Sequence, residues 1–121
     1  VEKYYKNILN MLTKSKDWLI MLIMIFKIKI QNFAQFEISK LEEKQQDVLS
    51  KDYTLIETQG IEYVRIKHLQ GNIFEIKSKE IRSLFKYCSG QIIIIGVVFV
   101  KKTKKTPKEI IKLAKKRLKE V

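Results

Sequence analysis

Hydrophobic positions in the first half of the chain predict one strand followed by two helices. Residues 18–26 form the one long apolar run, and apolar and basic residues then alternate up to Ile30, which predicts a buried first strand. Asn32 is an expected N-cap, and Gly60 is placed to end the second helix. The apolar stripes are Phe33, Phe36 and Leu41 in the first helix and Leu49, Tyr53 and Ile56 in the second. Together these helices form a predicted hairpin, and residues 1–17 predict a further short helix.

From Ile61 the pattern changes from helical to strand-like. Residues 73–77, 81–87 and 91–100 are short segments rich in β-branched and aromatic side chains. The connections between them are short enough for hairpins, so an antiparallel meander is expected. The last segment, QIIIIGVVFV, is apolar on both faces. It should therefore lie centrally in the sheet and be covered by helices on at least one side.

A final helix is predicted after a short basic junction, VKKTKKTPKEI. Thr106 is a suitable N-cap, Pro107 fits the first helical position, and Glu109 is placed to complete a capping box. The junction between the last strand and this helix is therefore a tether of about five residues held at both ends. The expected fold is α+β: a small antiparallel sheet with an N-terminal helical hairpin and a C-terminal helix, in one domain of 121 residues.

Charge is distributed unevenly along the chain. Of the formal net charge of +12, residues 1–60 carry nine basic and eight acidic side chains, and residues 61–121 carry sixteen and five. Clustered lysine and arginine are best explained by a polyanionic partner, although a solubilising surface is the alternative.

Several classes of site and location are disfavoured. Cys88 is the sole cysteine and His68 the sole histidine, so the sequence has no disulfide, no spacing typical of a zinc site and a weak basis for a catalytic histidine. The apolar run is too short for a bilayer span of about 20 residues, and the features of a secretion signal are incomplete. We therefore expect a cytoplasmic protein that needs no metal or other cofactor and no membrane.

The hairpin between residues 77 and 82 carries the first candidate chemistry. A turn at residues 79–80 pairs Lys77 with Arg82 on one face of the sheet. Directly opposed cations destabilise a sheet, so either they share an anion such as phosphate, or Glu75 or Glu80 compensates them. The same parity argument across the next turn sets Arg82 opposite Val97.

These cations form a predicted site for an RNA phosphate. Lys101 and Lys102 leave the last strand nearby, and Arg117 is expected to reach in from the final helix. Cations can stabilise charge on a phosphorus attacked by a ribose 2′-hydroxyl, and a lysine with a lowered pKa can act as the base. Binding without cleavage would use the same side chains, so composition does not separate the two.

The second half of the chain resembles the HigB-like branch of the RelE/ParE toxin superfamily. The resemblance rests on residues 61–121, in the order IKHL, GNIFEIK, IRSLFKY, VFVKKTKKTPKEI and LAKKRLKE, with the KKTKKTP junction as its most specific part. It places the family's strand arginine at Lys77, its second arginine at Arg82, the junction lysines at Lys101 and Lys102, and the helix arginine at Arg117. Further basic residues expected to contact nucleic acid are Lys67, Lys104, Lys105, Lys108 and Lys116.

The resemblance implies a type II toxin that cleaves mRNA at the ribosome without a metal. It implies an antitoxin partner, often with a helix-turn-helix domain, and a heterotetramer as one assembly. Val97 and Val121 stand where the family has a histidine and a tyrosine, and residues 1–23 fall outside the pattern, as an N-terminal extension would. The alternatives are a ParE-like inhibitor of DNA gyrase and a basic nucleic-acid-binding protein without catalysis.

Overall fold

The computed structural model describes residues 24–121. The helix expected over residues 1–17, the extension over residues 1–23 and most of the strand expected over residues 18–26 lie outside the described residues. The described elements are β1 (Lys27–Ile30), α1 (Asn32–Ser39), α2 (Glu43–Thr58), a 3₁₀ helix (Ile61–Tyr63), β2 (Arg65–Gln70), β3 (Ile73–Ser78), β4 (Ile81–Cys88), β5 (Ile92–Val100) and α3 (Lys108–Leu118).

The strands form one five-stranded sheet in the order β1-β5-β4-β3-β2. Strands β2 to β5 are antiparallel neighbours, which confirms the α+β class and the predicted meander. The expectation of a wholly antiparallel sheet is wrong for β1, which pairs in parallel with β5. Parallel strands need a long crossover, and the helical hairpin with strands β2 to β4 supplies it. As predicted, β5 is an interior strand.

Side chains of the sheet alternate between two buried cores. On β3, Phe74 and Ile76 face the core shared with α1 and α2, whereas Ile73 faces the core shared with α3. The sheet is therefore covered by the hairpin on one side and by α3 on the other. Because α3 has only eleven residues, it covers part of its face, and the polar and basic side chains of that face fall beyond it.

The helical hairpin buries the apolar stripe predicted for its second helix, but not all of the stripe predicted for its first helix. Leu49, Tyr53 and Ile56 of α2 are buried, as the pattern predicts. The prediction for the first helix is wrong for Phe33 and Phe36, which are 66% and 61% exposed, and confirmed for Leu41, which packs against the core. In α1 it is Ala34 that is buried, and Ile38 packs against the same core as Leu41, which follows the helix. Ala34, Ile38 and Leu41 are four and three residues apart, as residues on one face of a helix are. The periodicity alone therefore allowed this face as well as the predicted one.

The β4–β5 hairpin shifts the expected partner of Arg82. Arg82 lies opposite Phe99, and Leu84 lies opposite Val97, so the predicted Arg82–Val97 pair is wrong. The loop between Cys88 and Ile92 is one residue longer than the predicted two-residue turn, which by itself would place Arg82 opposite a residue of the other face of β5. A β-bulge between Leu84 and Phe85 shifts the register by one more residue and returns Arg82 to a partner on the predicted face. Arg82 therefore keeps the predicted face but sits two residues further along β5.

Helix α3 begins differently from the prediction. Pro107 is the N-cap and Lys108 the first helical residue, so Thr106 is not the capping residue. The Thr106 hydroxyl instead donates a hydrogen bond of 2.5 Å to Oε1 of Glu75 on β3. The junction is thereby bonded to the middle of the sheet.

Gly96 sets the close approach of α3 to the sheet. A Cβ atom at Gly96 would lie 2.8 Å from Cγ of Leu118, closer than atoms of packed side chains come. We expect Gly96→Ala to lower the free energy of unfolding, measured by urea denaturation, by about 1–3 kcal/mol through overpacking. In a Leu118→Ala background the added methyl group should cost less than in the wild type, since space is available. Additive losses in the double variant would contradict this contact.

Candidate nucleic-acid interface

Three cations form a row across the face of the sheet that α3 leaves open. In the strand register Lys77 lies opposite Arg65 of β2 on one side and opposite Arg82 of β4 on the other. The predicted pairing of Lys77 with Arg82 is thus observed. We call Arg65, Lys77 and Arg82 the cation row. Like charges at neighbouring positions of a sheet repel each other, so the row favours an anionic ligand.

Lys101 extends the positive charge beyond the end of β5. Its backbone N–H donates a 2.7 Å hydrogen bond to the carbonyl oxygen of Glu80, which holds it beside the β3–β4 turn. Lys101 is half-buried and its charge acts on Lys77. The structure therefore brings Lys101 to the cation row, as the sequence indicated.

The pKa of Lys77 lies below its ordinary value of 10.5. Loss of hydration is the largest cause, and the charges of Lys67, Arg65 and Lys101 lower the pKa further. Glu75 acts in the opposite direction. A lysine in such surroundings releases its proton more easily than a solvated one, as a general base requires.

Glu75 lies beneath the cation row and has no solvent exposure. One carboxylate oxygen accepts the hydrogen bond from Thr106, and the other lies 3.9 Å from Nε of Arg82. Those last two atoms are buried and make no hydrogen bond within the described part of the chain. Of the two acids considered as compensation, Glu75 is therefore the buried one. Glu80 is exposed and accepts a hydrogen bond from Gln45 at 3.2 Å.

Arg82 is oriented by the turn as well as by Glu75. Its Nη1 donates to the carbonyl oxygens of Lys79 and Ile81, the latter at 3.0 Å. The side chain is 13% exposed. The guanidinium is thus fixed at the β3–β4 turn.

Arg117 lies at a different contact from the one expected. Its Nη1 donates to both carboxylate oxygens of Glu37 at 3.0 Å and to the carbonyl oxygen of Gly96 at 2.8 Å. Its guanidinium also lies 4.9 Å from the ring centre of Phe33. The structure therefore places the Arg117 guanidinium where α1 meets α3 and β5. Its Nη1 is bound there and does not reach the cation row. No pattern in the sequence indicated Glu37 as its partner.

The other predicted contact residues spread over a wider surface. Lys67 is half-buried opposite Glu75 on β2. The exposed ones are Lys102, Lys104 and Lys105 in the junction and Lys108 and Lys116 on α3. We call these six lysines, which lie on β2, in the junction and on α3 and not in the cation row, the basic rim.

Sequence reasoning missed Arg65 and a cavity beside it. The cavity has a volume of about 380 Å³ and is lined by Val48, Lys51, Asp52, Tyr63, Val64, Arg65, Lys77 and Lys79. Arg65 follows from strand alternation with Lys67, so the signal was present. A larger cavity of about 440 Å³ between α1 and α2 is lined by Asp47 and Glu57 and by no lysine or arginine, which makes it unsuitable for an anion.

His68 and the acidic groups offer little to a cofactor. Nε2 of His68 lies 2.6 Å from the carbonyl oxygen of Gly71, and its ring packs on Phe74. Among residues 24–121, no three histidine, cysteine or acidic side chains are grouped as metal ligands would be. In the same range no helix is long and apolar enough to cross a membrane.

Comparison with known proteins places the chain in a family. The model of the family described as "Phage derived protein Gp49-like (DUF891)" matches residues 36–119. A search of curated protein sequences gave no match. Among solved structures, the archaeal RelE-RelB complex from Pyrococcus horikoshii OT3 contains a chain that is 12% identical, with a TM-score of 0.54 over 63% of this chain and 94% of that one. This likeness establishes the RelE fold. The chain therefore belongs to the Gp49-like family of RelE/HigB-type toxins.

Proposed function

We propose that the protein is the toxin of a type II toxin-antitoxin pair and cleaves mRNA in the ribosome without a metal ion, as the HigB-like branch is expected to do. The observation that carries this proposal is the cation row, with Lys101 beside it and a lysine of lowered pKa at its centre. Membership of a toxin family and the RelE fold support it independently.

The proposed reaction is an internal transesterification of RNA. The ribose 2′-oxygen attacks the adjacent phosphorus, a P–O2′ bond forms and the P–O5′ bond breaks. The products are a 2′,3′-cyclic phosphate and a free 5′-hydroxyl. The 2′-hydroxyl loses its proton and the 5′-oxygen gains one, so the reaction needs a base, an acid and stabilisation of the charge on the phosphoryl oxygens.

The side chains of the site divide these tasks among them. Neutral Lys77 takes the 2′-hydroxyl proton, and the ammonium of Lys101 supplies a proton to the leaving 5′-oxygen. Arg82 and Arg65 stabilise the negative charge at phosphorus, and Lys102 contacts a neighbouring phosphate from the junction. Glu75 touches no substrate in this scheme: it is a positioning residue that holds Arg82 and, through Thr106, the junction.

A protein antitoxin is the proposed partner that keeps the toxin inactive. The matched RelE chain belongs to a RelE-RelB complex, which supports a partner of this kind. The basic rim offers an acidic antitoxin segment the same charge that it offers RNA. A helix-turn-helix antitoxin and a heterotetramer remain part of this proposal.

Arg82→Ala tests the function directly. On induction the wild type is expected to arrest growth and to cut translated mRNA, detected by primer extension. Arg82→Ala should reduce cleavage about 10²–10³-fold, as loss of one transition-state charge does. Circular dichroism of the purified variant checks that it folds. Lys86→Ala removes one cation from the same strand, outside the cation row, and should keep the activity.

Other outcomes would contradict this function. Growth arrest with intact mRNA and a DNA-damage response would indicate a gyrase inhibitor. Harmless expression of a folded protein that still binds RNA would indicate a nucleic-acid-binding protein without catalysis.

A further inference from the structure

The cavity at the β2 edge of the sheet has the composition of a nucleotide site. It is lined by four cations and one carboxylate. That carboxylate, Asp52, accepts a 2.6 Å hydrogen bond from the hydroxyl of Ser78, so it is already engaged. The volume of about 380 Å³ lies within the range of about 300–1,000 Å³ found for small-ligand pockets.

Tyr63 presents an aromatic ring at the rim of this cavity. It ends the 3₁₀ helix Ile61–Tyr63, in which Ile61 is buried in the core and anchors the turn. Two backbone hydrogen bonds, from Tyr63 to Gly60 and from Val64 to Ile61, fix the local backbone. The Tyr63 side chain is nevertheless 59% exposed. A large aromatic side chain held in solvent beside cations is typical of a surface on which a base stacks.

The cavity and the cation row share two residues. Lys77 and Arg65 belong to both, and they lie opposite each other in the β2–β3 register. Lys51 of α2 and Lys79 of the β3–β4 turn also line the cavity but do not belong to the row. One RNA strand with a phosphate on the row would therefore have its neighbouring nucleotide at the cavity.

We propose that the cavity is a subsite for one nucleotide of single-stranded RNA, in which Tyr63 stacks on the base and Lys51 and Lys79 bind the flanking phosphate. This inference rests on the proposed function, since it takes RNA as the ligand of the cation row. RNA is favoured over an acidic peptide because carboxylates would use the cations and leave the ring of Tyr63 without a partner. The subsite would select single-stranded over paired RNA, whose bases are already stacked.

The test compares two labelled oligonucleotides by fluorescence anisotropy. Both carry 2′-O-methyl groups, which remove the attacking hydroxyl so that binding is measured without cleavage. One has normal bases, and the other is abasic with the same number of phosphates. Tyr63→Ala should weaken binding of the normal oligonucleotide about 5- to 100-fold and leave the abasic one within about two-fold. Tyr63→Phe keeps the ring and should bind like the wild type.

Two further variants separate base contacts from charge and from general surface effects. Phe36→Ala removes a ring of similar exposure, 61%, which has Lys40 above it and lies outside the cavity. It should leave both affinities unchanged. Lys51→Ala should weaken the binding of both oligonucleotides by the same factor, because Lys51 is proposed to contact phosphate only.

The results distinguish this subsite from the wider function. Unchanged affinity in Tyr63→Ala, or equal loss for both oligonucleotides, overturns the subsite while mRNA cleavage by the wild type can stand. An acidic antitoxin peptide that loses affinity for Tyr63→Ala when RNA does not would assign the cavity to the antitoxin. Loss of base-dependent binding in Tyr63→Ala, from a wild type that cuts no mRNA, would support the subsite and overturn the nuclease.

Discussion

Lys77→Arg is expected to slow RNA cleavage about 10²–10⁴-fold while RNA affinity stays within about two-fold of the wild type. Arginine keeps the positive charge at the centre of the cation row, but it does not deprotonate in proteins. The exchange therefore removes the proposed base and keeps the positive charge that binds and stabilises phosphate. Single-turnover cleavage of ribosome-bound mRNA measures the rate, and anisotropy with the 2′-O-methyl oligonucleotide measures the affinity.

The pH dependence gives this variant a second readout. The proposed base is the neutral amine, and its fraction rises with pH up to the pKa of Lys77, which the site lowers from 10.5. The wild-type rate should rise with pH and level off below the range of a solvated lysine, whereas this rise should be missing in Lys77→Arg. Lys86→Arg makes the same exchange on the neighbouring strand and should behave as the wild type. A full rate in Lys77→Arg would leave Lys77 with an electrostatic role alone.

Glu75→Ala is expected to lower the free energy of unfolding by about 3–5 kcal/mol, the cost of removing one partner from a buried ion pair. Glu75 is the fully buried anion beneath Arg82 and Lys77, and it is also the acceptor for Thr106. Its removal leaves the cation row without a countercharge and releases the junction. Chemical denaturation followed by circular dichroism measures the change.

Glu75→Gln is the matched control for this loss. The amide oxygen of glutamine can still accept the Thr106 hydrogen bond, so the junction stays attached and only the charge is lost. We expect an intermediate stability, with the difference between the two variants reporting the junction contact. A loss below about 1 kcal/mol in Glu75→Ala would mean that Glu75 does not compensate the row.

The sequence predicted those features that depend on local geometry. A two-residue turn fixes the register of its hairpin, so the Lys77–Arg82 pair followed from the position of residues 79 and 80. The stripe of Leu49, Tyr53 and Ile56 extends over a long helix with one apolar face, so its burial also followed. The interior position of β5 followed from its apolar character on both faces.

The features that failed depend on tertiary contacts. The eight residues of α1 are too few for the periodicity to decide between Phe33 with Phe36 and Ala34 with Ile38. No local pattern shows the register shift between Leu84 and Phe85 or the close approach of Leu118 to Gly96. Thr106 was predicted to cap α3, but its hydroxyl donates to Glu75. Arg117 was predicted to reach the site, but its guanidinium donates to Glu37. Both acceptors are distant in sequence, so no local pattern indicates them.

Two carboxylates also affect how the sheet meets other chains. The outward N–H of Ile28 on β1 donates to Glu57 at 3.0 Å, and that of Val98, where β5 extends past β1, donates to Glu37 at 3.0 Å. A backbone donor bonded to a side chain is no longer free to template a foreign strand. This margin of the described sheet is thereby protected against edge-to-edge aggregation.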